Sequence, residues 1–544
     1  MNTFDSTMVG ERYNILVEFA HIHLDFQRPE LEAVLSMNDI YIGRDCTELS
    51  LPTPNRKYHS PFIILSFDYE YANKKFNLDD EGEILSDDIS RFAKKDKNKP
   101  TIAEFFSRVT LIRSVIHLFG CGSDLASCAN AVKEWSESNT GRKLLIPYKK
   151  ESASWKITVH TLGTTFTTSE QNEMRGKFSF LDFPGPIKMV NPTYEYLLVR
   201  EVELDNKGSA VYPRYGEKKV IIPENDARPP LACYYGRVLG GLRNWRGKGR
   251  LEKITLKKRA YLGPTSMDAE LSLVMTNMAR VKHGSFAFDP FVGTGSILLT
   301  CGLRGAYCFG TDIDIRVLRG KGANENIWSN FKQYNLPRPD LVRSDNAIYH
   351  RHYKSHYPMY DAIVTDPPYG IRAGARKSGS KLENPKPILD KFRYDHIAQT
   401  QVYEVSDVMA DLLDVSARTL VMGGRLVYII PSMQDFDPKT DLPIHECLKI
   451  VCVCYQPLQA ELGRRLVTME KIKEYEPSKR KEYLSKTWIN GPDSAEKCAR
   501  IRERLMEAAK LRPDYNEKLR YRKQKRKETK EAAKKAKRET NSSI

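Results

Sequence analysis

The sequence predicts an α/β protein: an open, mainly parallel sheet with helices on both faces, preceded by an α+β region. Three observations carry this. From about residue 261 to 472, short apolar strands alternate with helical stretches at βαβ spacing. Several of those strands end in an acid or a glycine turn, where such sheets gather their ligands. Residues 1–225 mix strands and helices without that rhythm. The chain has 544 residues, 41% hydrophobic and 10% aromatic, enough for real cores and against global disorder. No run approaches the ~20 apolar residues of a membrane span. The N-terminus lacks the basic-then-apolar pattern of a secretory signal, so a soluble cytoplasmic protein is expected, with no membrane partner. The ten cysteines form no Cys-x-x-Cys pair, so neither a metal site nor a disulfide framework is expected. Cys452 and Cys454 in IVCVCY read as buried thiols.

The elements follow in order. Strands are expected at 12–20, 61–67, 143–147, 155–162 and 194–203. Helices are expected at 28–37, 101–119 and 125–136. The charged segment 78–97 reads as loop. Residues 1–145 form an N-terminal α+β region and 146–225 a second small module. Arg228-Pro229-Pro230 and the basic, glycine-rich 236–250 mark 226–260 as a linker. Thr265 or Ser266 caps the helix that follows Met267.

Phe286–Ser296, FAFDPFVGTGS, is the first motif. A strand ends at Asp289, and Gly293-Thr294-Gly295 leads into a helix from Ser296. Glycines there allow close backbone approach to a ligand. The Gly-x-Gly-x-x-Gly phosphate fingerprint fails, because position 298 is Leu. An acid after the strand repels a pyrophosphate but suits an ammonium group. S-adenosylmethionine has an ammonium and a sulfonium and no phosphate. The second motif is a strand over 306–311 ending at Asp312, about 20 residues on, placed to accept both ribose hydroxyls. Asp314 competes for that role, although it also suits a helix cap. The third is Asp345, after a short third strand around Leu341-Val342. It can take the adenine amino group, or serve as a turn or cap.

Tyr360–Gly370, YDAIVTDPPYG, is the most informative motif. Its strand delivers Asp366-Pro367-Pro368-Tyr369 to the ligand edge. The prolines fix φ and carry no N–H, so their carbonyls stay free to accept. Asp366 and the Pro367 carbonyl can grip both hydrogens of an exocyclic amino group and aim its lone pair at a methyl donor. Tyr369 can stack on the base. Catalysis of that kind rests on positioning and on charge stabilisation at nitrogen. In the polar loop 371–394, Arg372, Arg376 and Lys377 are candidate contacts to substrate phosphates. A helix is expected at 405–419 and strands at 425–430, 448–455 and 465–469, the last antiparallel.

The net charge is +17. Residues 518–538 alone hold twelve Lys/Arg and two Glu, whereas 1–225 hold 28 Lys/Arg and 32 Asp/Glu. The region from 473 to 544 therefore reads as a basic tail, helical or disordered, and fits a polyanion.

The Asp-Pro-Pro-Tyr tetrapeptide resembles that of the class I amino-methyltransferases. Together with LKKRAYLGPTSMD (256–268), DPFVGTGS (289–296), GTDID (310–314) and DPPYGIRAGARK (366–377), it is similar to the eukaryotic THUMP-containing tRNA guanosine-N2 methyltransferases that act on guanosine 10. The resemblance is tight over about 226–470 and looser before it. It implies a Rossmann-like class I methyltransferase domain with a mostly parallel seven-stranded sheet over 261–472, a ferredoxin-like region over 1–145 and a THUMP RNA-binding module over 146–225. S-adenosyl-L-methionine is the implied cofactor, with Thr265, Ser266, Asp289, Phe291, Gly293, Thr294 and Gly295 near it, Asp312 on its ribose and Asp345 on its adenine. Asp366, Pro367, Pro368 and Tyr369 take the guanine. The implied partners are tRNA and a small zinc-binding methyltransferase activator subunit. The tetrapeptide alone equally fits an adenine-N6 or cytosine-N4 methyltransferase. A non-catalytic RNA-binding scaffold would show damaged motifs, and none is visible. A dinucleotide oxidoreductase is disfavoured by Asp289 and the missing third glycine.

Overall fold

In the computed structural model, the described residues are 11–53, 59–78, 99–162, 166–202, 231–241, 251–263, 266–351, 357–369, 374–379, 399–458, 462–498, 501–511 and scattered positions from 513 to 528. Two seven-stranded sheets organise them. The first contains β1 (Arg12–Phe19), β2 (Cys46–Leu49), β3 (Phe62–Asp68), β4 (Ile112–Gly122), β5 (Trp155–Leu162), β6 (Tyr194–Glu201) and β7 (Ala232–Gly241). Its order is β2-β3-β1-β4-β7-β6-β5. Every pair is antiparallel except β5 with β6.

Three expectations fail in this half. A capping box between Thr101 and Glu104 starts the expected helix at Ile102, but the helix ends at Phe106 and the rest becomes β4. That strand is buried on both faces, so its apolar residues show no alternation to separate strand from helix. Residues 143–147 are not a strand. Ser138 caps the helix Asn139–Leu145 by accepting from Gly141 N, and a 3-10 turn follows over Ile146–Lys149. The expected linker contains β7, which lies between β4 and β6. Its glycines serve packing: a Cβ on Gly236 would sit 2.1 Å from the His117 carbonyl oxygen. The expected boundary at 145/146 falls inside this one continuous sheet.

The second sheet contains β8 (Phe286–Asp289), β9 (Tyr307–Asp312), β10 (Asp340–Arg343), β11 (Tyr360–Thr365), β14 (Leu420–Met433), β15 (Leu448–Pro457) and β16 (Leu462–Lys471). Its order is β10-β9-β8-β11-β14-β16-β15. All pairs are parallel except those of β16, which is antiparallel to both β14 and β15. The mainly parallel seven-stranded sheet is therefore present, with its antiparallel last strand. β12 (Arg376–Ser378) and β13 (Thr400–Val402) form a separate antiparallel ribbon. Strand order reverses between β8 and β11, so the carboxyl ends of β8, β9 and β11 border one crevice.

The two halves share a core. Phe26, Leu31 and Phe106 belong to the same buried cluster as Met275 and Met278. Buried Asn277 crosses between them, donating to Glu30 Oε1 at 2.6 Å and to the Arg108 carbonyl at 2.9 Å. At the other end, the helix Val405–Thr419 forms over its expected range. Its buried Asp414 accepts from the hydroxyls of Tyr349 and Tyr475. Tyr475 and Tyr483 are buried in that core, so the packed body extends past 472 into the segment expected to begin the tail. No helix among the described residues is long and apolar enough to cross a membrane.

Candidate active site

A cleft of about 1460 Å³ opens at the carboxyl ends of β8, β9 and β11. The glycine turn forms its floor. Gly293 (φ +50°) and Gly295 (φ +76°) are left-handed, a region that favours glycine. At Gly295 an added Cβ would also lie 2.7 Å from Ile327 Cγ2. The turn delivers the helix Ser296–Leu303, every residue of which is buried.

Five acids line the cleft, Asp268 and Asp314 among them, and Asp289, Asp312 and Asp366 end or follow its three strands. Asp289 Oδ1 accepts from the Thr365 hydroxyl at 2.6 Å and from Phe291 N at 3.0 Å, which ties β8 to β11. Burial nevertheless pushes its carboxyl up to about 7, with Asp312 and Asp366 adding to the rise against those two hydrogen bonds. Asp312 accepts from Gly293 N at 3.0 Å and from Asp314 N at 2.8 Å. Its carboxyl is also raised, chiefly by burial. Each oxygen keeps a second lone pair for a hydroxyl. Asp314 caps the helix Ile315–Arg319 through Arg316 N, and Arg316 holds its carboxyl below the usual range.

Phe291 and Thr294 line the same cleft. Ser266 reaches it as well. Its Oγ accepts from Gly263 N at 3.0 Å and pairs with Thr294 Oγ1 at 2.8 Å. It does not cap the next helix. Asp268 does, accepting from Glu270 N and Leu271 N. Thr265 lies outside the described residues.

Asp366, Pro367, Pro368 and Tyr369 follow β11 directly and line the cleft beside Asp289. Tyr369 packs against both large cores. Burial raises its hydroxyl pKa, Asp366 adds to that rise, and the positive charge of Arg464 opposes it. The hydroxyl therefore stays protonated at neutral pH.

Other candidates are placed differently. Asp345 is buried, and its two oxygens accept from Ala347 N at 2.9 Å and Ser378 N at 2.7 Å. This is the turn role, and it also pins the β12 ribbon. The neighbours Ser344 and Asn346 line the cleft in its place. Arg376 is exposed and lines the cleft. Lys377 turns to Asp407 at 3.2 Å and stands over the Tyr403 ring. Arg372 lies outside the described residues, as does most of the expected loop 371–394.

Sequence reasoning missed Thr365, Tyr403 and Arg464. Tyr403 lines the cleft and donates to Asp411 at 2.5 Å, whose carboxyl burial raises to about 6. Thr365 precedes the tetrapeptide directly, so its position was readable. Arg464 lies about 100 residues away, and only the fold brings it near.

The residues fit S-adenosylmethionine. A buried acid lifted toward neutrality is a site short of a cation, and an ammonium group supplies one. Asp312 offers acceptors to a ribose, and the glycine turn leaves room for the backbone to approach. The acids at the strand ends disfavour a pyrophosphate there. Among the described residues, no group of His, Cys, Asp or Glu could hold a metal.

The profile of the RMKL-like methyltransferase domain matches residues 257–385, and that of the Tmrp11 THUMP N-terminal domain matches 92–215. The chain is 33% identical to the mouse tRNA (guanine(10)-N(2))-methyltransferase TRMT11 over 483 residues, covering 86% of this chain and 90% of that protein. The human protein of the same name is 33% identical, covering 86% and 89%. The Dictyostelium discoideum one is 35% identical, covering 85% and 83%. A solved structure, TrmN from Thermus thermophilus, aligns over 85% of this chain and all of that one. Its identity of 13% and TM-score of 0.36 are too low to argue from.

Proposed function

Since the chain belongs to the family of the TRMT11 tRNA (guanine(10)-N(2))-methyltransferases, we propose that it methylates the exocyclic N2 amine of guanosine 10 in tRNA. One observation carries the reading to chemistry. Asp366-Pro367-Pro368-Tyr369 stands at the reversal point of a parallel sheet, beside an acid-lined cleft, in a chain that aligns over most of its length with those enzymes.

S-adenosylmethionine would supply a methyl group whose bond to sulfur breaks as the amine nitrogen takes it, leaving a neutral thioether. The chain does the rest by placement. Asp289 holds the ammonium, Asp312 the ribose, and Ser266 with Thr294 lie along the glycine turn. Asp366 and the Pro367 carbonyl accept the two amine hydrogens and fix the direction of the lone pair. As charge develops on nitrogen, Asp366 stabilises it and accepts the departing proton. Tyr369 supplies a face for the purine. The THUMP region holds the tRNA, and Arg376 meets its phosphates. Ser344 and Asn346, beside Asp345, serve the adenine.

The catalytic chain works with a small zinc-binding activator subunit, in the cytoplasm. The first statement rests on the family resemblance. The test is radiolabelled methyl transfer to unmodified tRNA, with and without the activator, followed by nucleoside analysis. Label in N2-methylguanosine is expected. Label in N6-methyladenosine or N4-methylcytidine would overturn the base assignment.

A further inference from the structure

A ring amine is all that the Asp366 clamp grips, so the clamp by itself does not choose guanine. Base choice needs a second group at the same place. Arg464 stands there. It is the third residue of β16, opposite Pro431 at the end of β14 and opposite Gln456 on β15. It lines the cleft with Pro367, Pro368 and Tyr369. Its Nε donates to Gln456 Oε1 at 2.5 Å, and its charge acts on the Tyr369 hydroxyl. Gln456 is held in turn by His23 Nδ1 at 3.1 Å. The fork is therefore anchored along one edge beside the ring on which the base would stack. Arginine has five donors and no acceptor, so donors remain for the cleft. Lys321 and Arg376 also line it, but Arg464 is the cation whose charge lowers the pKa of the Tyr369 hydroxyl.

We propose that Arg464 is a specificity-determining residue that reads the O6 and N7 edge of the purine at the clamp. The proposal rests on the guanine reading above. Guanine carries O6 at the far end of the edge that bears N2, with N7 behind it, and an arginine fork matches that acceptor pair. Adenine and 2,6-diaminopurine put an amino donor where O6 stands. A site built to hydrogen-bond a substrate group rejects analogues that lack it.

The test uses the full chain with its activator and tRNAs carrying guanine, 2-aminopurine or 2,6-diaminopurine at the target position. All three bases have the 2-amine, and comparing wild type with variant cancels their intrinsic reactivities. Wild type is expected to favour guanine over 2-aminopurine by about ten- to a hundredfold in single-turnover rate. Arg464→Ala should lower the guanine rate more than the 2-aminopurine rate, since 2-aminopurine keeps only the N7 contact, bringing the ratio to within about threefold of unity, and it should raise 2,6-diaminopurine relative to 2-aminopurine. Arg464→Lys, which keeps the charge and loses the fork, should fall between the two. Tyr369→Phe should keep the wild-type ratio. Unchanged binding of S-adenosylhomocysteine shows that a variant is folded. If Arg464→Ala unfolds, the Lys variant decides by the same ratio. Equal losses for guanine and 2-aminopurine would overturn the proposal and make Arg464 a phosphate contact or a support for Tyr369. A wild type that labels no guanine would instead defeat the guanine reading beneath it.

Discussion

Asp289 ties the charge of the cleft to pH. In the free protein its carboxyl is pushed up to about 7, first by burial and then by Asp312 and Asp366. A ligand ammonium binds the ionised form. Below pH about 7 the free site is protonated, so binding must expel a proton and affinity falls as pH drops. Between about pH 8 and about pH 6 the ionised fraction falls from about nine-tenths to about one-tenth, so Kd should rise about tenfold, or ~1.4 kcal/mol. Isothermal titration of S-adenosylhomocysteine, in buffers of different ionisation enthalpy, reads both affinity and proton release. Release should approach one proton at the low end and vanish at the high end. Asp289→Asn should flatten both profiles. The stability of the free protein follows the opposite sense. A carboxyl whose folded pKa is raised favours the folded state at low pH, and that contribution is lost as pH rises from the unfolded value toward 7. A pH-independent Kd in wild type, or a slope that survives Asp289→Asn, would refute the reasoning.

Other outcomes follow from the packing. Asp414 is fully buried under Tyr349, Tyr475, His445 and Arg480. Asp414→Ala should cost about 3–5 kcal/mol in chemical denaturation, because it leaves buried donors unpaired; a loss below ~1 kcal/mol would contradict that. Gly295→Ala must adopt φ +76° and push Ile327 aside. It should cost about 1–3 kcal/mol and weaken S-adenosylhomocysteine binding together, and normal melting with normal binding would show that the turn tolerates a side chain. Deleting 512–544 spares buried Ile501 and the 2.6 Å Arg504–Asp435 pair. RNA affinity should fall and its dependence on log salt become shallower; an unchanged slope would separate the tail from RNA.

The sequence was most legible where one face decides the pattern. The helix Val405–Thr419 and the strand Trp155–Leu162 appear over their expected residues. It was least legible where burial is two-sided or glycine serves packing. β4 hid behind an apparent helix because both of its faces are buried. β7, with three glycines, read as a linker although it sits mid-sheet. In the cleft, the acids of local motifs were readable because each follows its own strand. Two kinds of fact were not. Asp345 had two open roles, and the bond from Ser378 N, 33 residues on, shows that it serves the turn and the β12 ribbon. Arg464 meets Tyr369 only because β16 inserts between β14 and β15.

The most direct measurement separates holding the donor from using it. Asp366→Ala, compared with wild type in the presence of activator and tRNA, should lower single-turnover methyl transfer by about 10²–10³. Calorimetric affinity for S-adenosylhomocysteine should stay within about threefold, since the proposed function gives the holding of that ligand to Asp289 and Asp312. Transfer at an undiminished rate would contradict the account, and so would the loss of both properties at once.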